Sequence, residues 1–188
     1  MKSNLTLNSL PEDLLMSAQA LEVRFNILRV PSRAIPESEW YSLPESIRQL
    51  IPVWIPALLS KFRLAGGVLE HRDSTHSSNR QFCFFNPTDF ASELSNDSLL
   101  QRLPQFGYVP FAYEHNGSVW VMETTGQVSS VIYLLDLPDW NGAQPTSQNG
   151  LVFASSRLSL LLASMSVSEV SYYDVQGGIT SVLWHMEK

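Results

Sequence analysis

Apolar residues in the first third of the chain recur at helical spacing, and those in the middle alternate. Leu14, Ala18, Leu21, Phe25 and Leu28 fall on one face of a helix. Ser9 and Glu12 have capping-box spacing, and Pro11 lies in the first turn, where a missing N–H costs little. Val30-Pro31 closes the segment, because a residue before proline avoids the helical region. The pattern predicts a helix over 9–29. Pro31, Pro36, Pro44 and Pro52 then leave room only for short helices around 37–42 and 44–50. A further helix is expected over Val53–Leu64, where Ile55, Leu58, Leu59 and Phe62 share a face. Gly66-Gly67 stands where a helix-stopping glycine belongs.

From Val68 the period changes to two. Val68–Arg72 and Arg80–Phe85 read as strands, and Pro87–Leu103 as a helical excursion with Asp89 and Asp97 as caps. Tyr108–Glu114 and Ser118–Thr124 flank an Asn116-Gly117 hairpin signal, and Val131–Asp136 adds another strand. Val119–Met122 is apolar on both faces, as a covered central strand should be, and Pro110 requires an edge or a bulge. Residues 137–150 read as a loop. A helix is expected at 152–165, with Ala154, Leu158, Leu161, Leu162 and Met165 on one side, and a terminal hairpin over 169–186. This order predicts one α+β domain, with N-terminal helices on a mainly antiparallel sheet, a late helix and a C-terminal hairpin.

Composition agrees with a single globular domain. The chain has 188 residues, 44% hydrophobic and 16% charged. Its one cysteine, Cys83, excludes an intrachain disulfide and a multi-cysteine zinc module. Flanked by aromatics on a predicted strand, that thiol reads as a small core hydrophobe. Residues 1–8 lack an apolar stretch and no run approaches the ~18 residues a membrane span needs, so a cytoplasmic protein is expected.

Charge is unevenly spread. Residues 1–80 hold 9 basic and 8 acidic groups, whereas residues 81–188 hold 3 and 10. An acidic half repels phosphate backbones and argues against nucleic acid as the partner. It favours encounter with cationic protein surfaces, although such a balance also simply keeps a protein soluble.

Chemical motifs are sparse. His71, Asp73 and His76 offer two imidazoles and a carboxylate within six residues, a set that a metal-dependent hydrolase could use. Their place at a strand end running into a polar loop organises ligands poorly, and histidines in such loops are usually just solvated. No Gly-x-Ser-x-Gly elbow, dinucleotide fingerprint or P-loop occurs. No cofactor is expected. Trp140, in a loop between Asp139 and Asn141, is either plugged onto the core or exposed as an interface anchor. Glu114, Glu123, Asp136, Asp139 and Asp174 lie at strand ends, where they could ring such an anchor.

Three segments together resemble the SUKH (Smi/Knr-type) superfamily: Ile51-Pro52-Val53-Trp54-Ile55-Pro56-Ala57-Leu58-Leu59 through Phe62 to Gly66-Gly67; Phe106-Gly107-Tyr108-Val109-Pro110-Phe111-Ala112; and Gly117–Val121 with Thr125-Gly126. The likeness covers about residues 35–165, with Ser156–Leu162 matching the family's late helix. It departs at Ala65, where members often carry Asn, and at Ser118, where they often carry Asp. The resemblance implies a non-enzymatic protein-binding domain, an immunity protein that neutralises a cognate bacterial toxin, such as a nuclease or deaminase, by occlusion. The alternative that it implies is a regulatory or scaffold protein binding an endogenous enzyme.

Overall fold

A computed structural model describes residues 10–71, 80–95, 99–114, 117–123 and 130–167, with His71 by its backbone only. It shows an α+β fold of N-terminal helices followed by a curled antiparallel sheet of seven strands. The helices are α1 (Glu12–Leu28), α2 (Glu37–Tyr41), α3 (Glu45–Arg48), α4 (Trp54–Lys61), α5 (Pro87–Glu93) and α6 (Leu158–Ser164). The strands are β1 (Leu69–His71), β2 (Arg80–Phe84), β3 (Tyr108–Tyr113), β4 (Val119–Glu123), β5 (Ile132–Leu135), β6 (Leu151–Ser155) and β7 (Met165–Val167). A 3-10 helix, Leu99–Phe106, leads into β3. The expected terminal hairpin over 169–186 lies outside the described residues.

The sheet order is β6-β5-β4-β3-β2-β1-β7, so the last two strands stand at opposite edges. Every pairing is antiparallel, which makes β6 and β7 run in the same direction. Six inter-strand gaps of a flat sheet would separate those edges by about 29 Å. Only nine residues join Ser155 to Met165, and seven of them are helical, a rise of about 10 Å. The connection can be made only because the sheet curls.

Both faces of β4 are covered. Phe82, Phe84, Phe111 and Trp120 pack ring against ring at 4.8–6.4 Å, and Trp120 Nε1 donates to the Gln81 carbonyl at 3.0 Å. A second aromatic group, Trp40, Phe85, Phe90 and Tyr113, packs with α5. Val119–Met122 are buried throughout, as their two-sided apolar pattern predicts. Pro110 stands in an interior strand and is accommodated at a register shift between Pro110 and Ala112.

Three local expectations are corrected. The helix of 53–64 stops at Lys61, because Phe62 turns extended and Ala65 bridges to Arg33. Gly66, at φ 87°, then turns the chain into β1, and the Phe25 ring of α1 lies against Gly67. Asp89 is not the cap of α5: Asn86 caps it, accepting from Asp89 N at 3.0 Å while Asp89 Oδ2 accepts from Asn86 N at 2.8 Å. The predicted helix of 152–165 divides into β6 and α6. Leu151-Val152-Phe153 suits a strand, and the helical face retains only Leu158, Leu161 and Leu162.

Candidate protein-binding surface

The strand register distributes the acidic candidates. Val119 pairs with Leu135 and Met122 with Ile132, so Asp136 and Glu123 fall at opposite ends of the β4–β5 pair. Five residue steps along the strand run from Ser118, beside Asp136, to Glu123, which is roughly 17 Å. The structure does not gather the set into one cluster.

At the first end, the Ser118 hydroxyl lies 3.4 Å from Asp136 Oδ1, and Glu114 N donates to the Ser118 carbonyl at 2.9 Å. The Glu114 side chain is only 7% exposed, with Arg80 Nη1 4.0 Å from its carboxylate. Glu114 is therefore a sheltered ion pair and a correction to its reading as a partner contact. Asp139 is exposed in the turn that follows β5. Trp140 is 3% exposed, and its Nε1 donates to the Ala143 carbonyl at 2.6 Å. Of the two roles open to it, the ring takes the core plug, and its reading as an exposed anchor is corrected. Asp174 lies outside the described residues.

At the second end, Glu123 stands beside an aromatic row that the sequence did not single out. Tyr108 pairs with Glu123, and Tyr133 pairs with both Val121 and Phe153, which places them on one face. Tyr108 and Tyr133 meet edge to face at 5.8 Å, as do Tyr133 and Phe153 at 6.3 Å. The Tyr133 hydroxyl lies 3.4 Å from Glu123 Oε1. Burial, and then the nearby Glu123 carboxylate, raise both phenols above the usual tyrosine range. The row ends on Phe153, 63% exposed, beside Val152, 46% exposed. Both belong to β6, an edge strand without a charged or proline residue. Natural edges are commonly guarded by charge or proline, and this one is not.

Alternation in Ile132-Tyr133-Leu134 already turns Tyr133 to the opposite face from its neighbours. Phe153 joins that face only through strand β6, which the helical spacing over 152–165 hides. These residues offer apolar contact, hydroxyl groups and one carboxylate, which suits protein recognition.

Elsewhere the buried polar groups serve the fold. Cys83 is buried, and desolvation pushes its thiol up to about 12. Burial pushes the Asp89 carboxyl up to about 7, opposed by the Asn86 N–H and reinforced by Glu93. The Tyr113 hydroxyl donates to Glu93 Oε1 at 2.9 Å. The candidate metal set cannot be placed, since Asp73, His76 and the His71 side chain lie outside the described residues. Among the described residues, no three His, Cys, Asp or Glu side chains form a metal-holding group, and no helix is long and apolar enough to cross a membrane. Comparison of the chain with protein-family models, curated proteins and solved structures finds no match.

Proposed function

We propose that this chain is a non-enzymatic binding domain of SUKH type that neutralises a cationic toxin domain in the cytoplasm by covering it. The observation that carries the reading is Phe153, exposed at the end of the Tyr108–Tyr133–Phe153 row on an uncharged sheet edge. An aromatic row of this kind supplies contact area at low entropic cost, and aromatics are enriched among the residues that dominate binding energy. Acidic surplus in residues 81–188 supports a cationic partner by speeding encounter, and Glu123 is the acidic residue that stands beside the row. The partner's fit to the row, rather than net charge, would then set how long the complex lasts.

The test is affinity capture on the purified chain from native lysate and from toxin-challenged cells, read by mass spectrometry. A basic toxin domain at near-equal stoichiometry, lost with Phe153→Asp and weakened by Glu123→Lys, is the expected result. Capture of an endogenous synthase or kinase instead would replace immunity with the regulatory role. Capture that is unchanged by Phe153→Asp would remove the aromatic row from the proposal.

A further inference from the structure

The register of β3, β4 and β5 sets one carboxylate among aromatic rings. Tyr108 stands directly opposite Glu123, and Tyr133, opposite Val121, stands diagonally from it. Direct and diagonal neighbours have Cβ atoms about 4.5–5.5 Å and about 7–8 Å apart, so both rings reach the carboxylate. Tyr133 crosses Tyr108 at 89° and Phe153 at 85°, and most of the Phe153 side chain is in solvent. Both phenols are held neutral, since burial and then the Glu123 charge raise them above the ordinary tyrosine range. Glu39 and Asp13 each face an arginine of the fold, Arg33 at 2.6 Å and Arg157 at 3.5 Å. Among the described residues, Glu123 faces no cation, and its side chain has one hydrogen-bond partner, the Tyr133 hydroxyl at Oε1. Its Oε2 has no donor among them.

We infer that Glu123 and the Tyr108–Tyr133–Phe153 row form a recognition site for an arginine side chain of a protein partner. The inference rests on the reading of this face as the contact surface, and it names the group that the face takes. Two properties of the site select a guanidinium. Its occupant is cationic, because a carboxylate without a counter-ion stands beside π faces whose quadrupole also favours positive charge. The occupant also carries N–H donors, because Oε2 is an open acceptor. A guanidinium meets both at once: it stacks flat on a ring while its edge donates to the carboxylate, and it gives up its hydration readily. A lysine ammonium also donates, but it is a compact, strongly hydrated point charge that gains less from a ring. A quaternary ammonium suits rings but has no donor for Oε2. The surplus of 10 acidic over 3 basic groups in residues 81–188 draws such a cation towards the same part of the chain. An exposed cation–π contact and an exposed ion pair are each modest. One arginine therefore binds in the millimolar range and acts as a single anchor within a larger interface.

The test is an NMR titration of the full chain, with isotope-labelled Tyr and Phe rings, against the peptide acetyl-Gly-Arg-Gly-amide. The expected result is a saturable shift of the Tyr108, Tyr133 and Phe153 resonances, with the lysine analogue of the peptide at least about threefold weaker. Glu123→Gln removes the charge and Phe153→Leu removes a ring, and each weakens binding about three- to fivefold. Asp139→Asn, beyond the Asp136 end of β5, leaves binding unchanged. Spectra of the other labelled rings, taken without peptide, show that each variant keeps the fold. No shift, equal binding of the lysine analogue, binding that survives both Glu123→Gln and Phe153→Leu, or an equal loss in Asp139→Asn would overturn the inference. The titration needs no toxin, so it fails separately from the immunity role. Toxin capture that requires Phe153, without arginine binding, would overturn the arginine site alone. Arginine binding without toxin capture would support the site and overturn the immunity role.

Discussion

Replacing Gly67 with alanine places one methyl group against the aromatic ring that seats α1. A Cβ at Gly67 would collide with Phe25 Cζ and Cε1 and lie 2.9 Å from Cε2. Phe25 is 1% exposed and continues the buried line of Leu14, Ala18 and Leu21, so the ring has no open side to retreat to. Gly67 does not have a positive φ, and backbone strain therefore contributes nothing. At such a position the loss of unfolded-chain entropy would by itself stabilise the protein by about 0.4–1 kcal/mol. Overpacking costs about 1–3 kcal/mol, rising towards the ~3–5 kcal/mol of losing a buried phenyl if the ring is expelled. The net expectation is a loss of about 2–4 kcal/mol, a large share of the ~5–15 kcal/mol that holds a domain together. Urea unfolding followed by tryptophan fluorescence measures it, with the slope checked for two-state behaviour. Phe25→Leu removes the far end of the ring, so the double variant Gly67→Ala/Phe25→Leu should lose clearly less than the two single losses added together. A neutral or stabilised Gly67→Ala, or strict additivity in the double variant, would refute the reasoning.

Other groups make separate predictions. Asp89 titrates near 7 in the folded chain against an ordinary 3.8, so the native state holds its proton more tightly and stability falls as pH rises between those values, by roughly 4 kcal/mol in all. Asp89→Asn should flatten that part of the urea-midpoint profile and be the more stable protein at pH 8; parallel profiles would show that the carboxyl is not desolvated. Trp140→Ala should cost about 3–5 kcal/mol in the same unfolding assay, because a plugged ring is lost, and an unchanged midpoint would return Trp140 to the surface. Phe153→Asp should leave the midpoint within about 0.5 kcal/mol while abolishing partner capture, and an equal loss of both would make Phe153 structural.

The β3–β4 hairpin and β5 are legible in the sequence because alternation and Asn116-Gly117 are local signals. The helical layer is legible for the same reason, down to the buried face of α1 as far as Phe25, while Leu28, expected on that face, is exposed. Gly67 is not, because the cause of its small size is Phe25, 42 positions away, and a neighbouring glycine imitates a helix stop. Strand β6 is obscured by Leu158, Leu161 and Leu162, whose helical spacing extends by coincidence back to Ala154. The acidic residues could be placed at strand ends but not at which end, since that depends on register with β5. For Trp140 the choice between plug and anchor rests on a carbonyl three residues on, which composition does not encode.

Among the described residues, the unpaired edge at β6 follows from how the sheet stops short of closing. Neighbouring parallel strands need a crossover of about a dozen residues or more, and β6 and β7 run parallel with nine between them. The curled sheet therefore brings its two edges towards one another without pairing them, and α6 carries the chain across. An edge left in this way invites an added strand unless charge or proline forbids it. Val152 tests whether the partner uses that edge or only the aromatic row, since it lies beside Phe153 on the opposite face of β6. Val152→Lys supplies the missing guard and leaves Phe153 in place, and its 46% exposure lets a lysine head reach water without disturbing the fold. If recognition includes strand addition, capture falls in Val152→Lys as it does in Phe153→Asp. Full capture by Val152→Lys, with none by Phe153→Asp, would confine the contact to the rings and leave the open edge as a cost of the short connection.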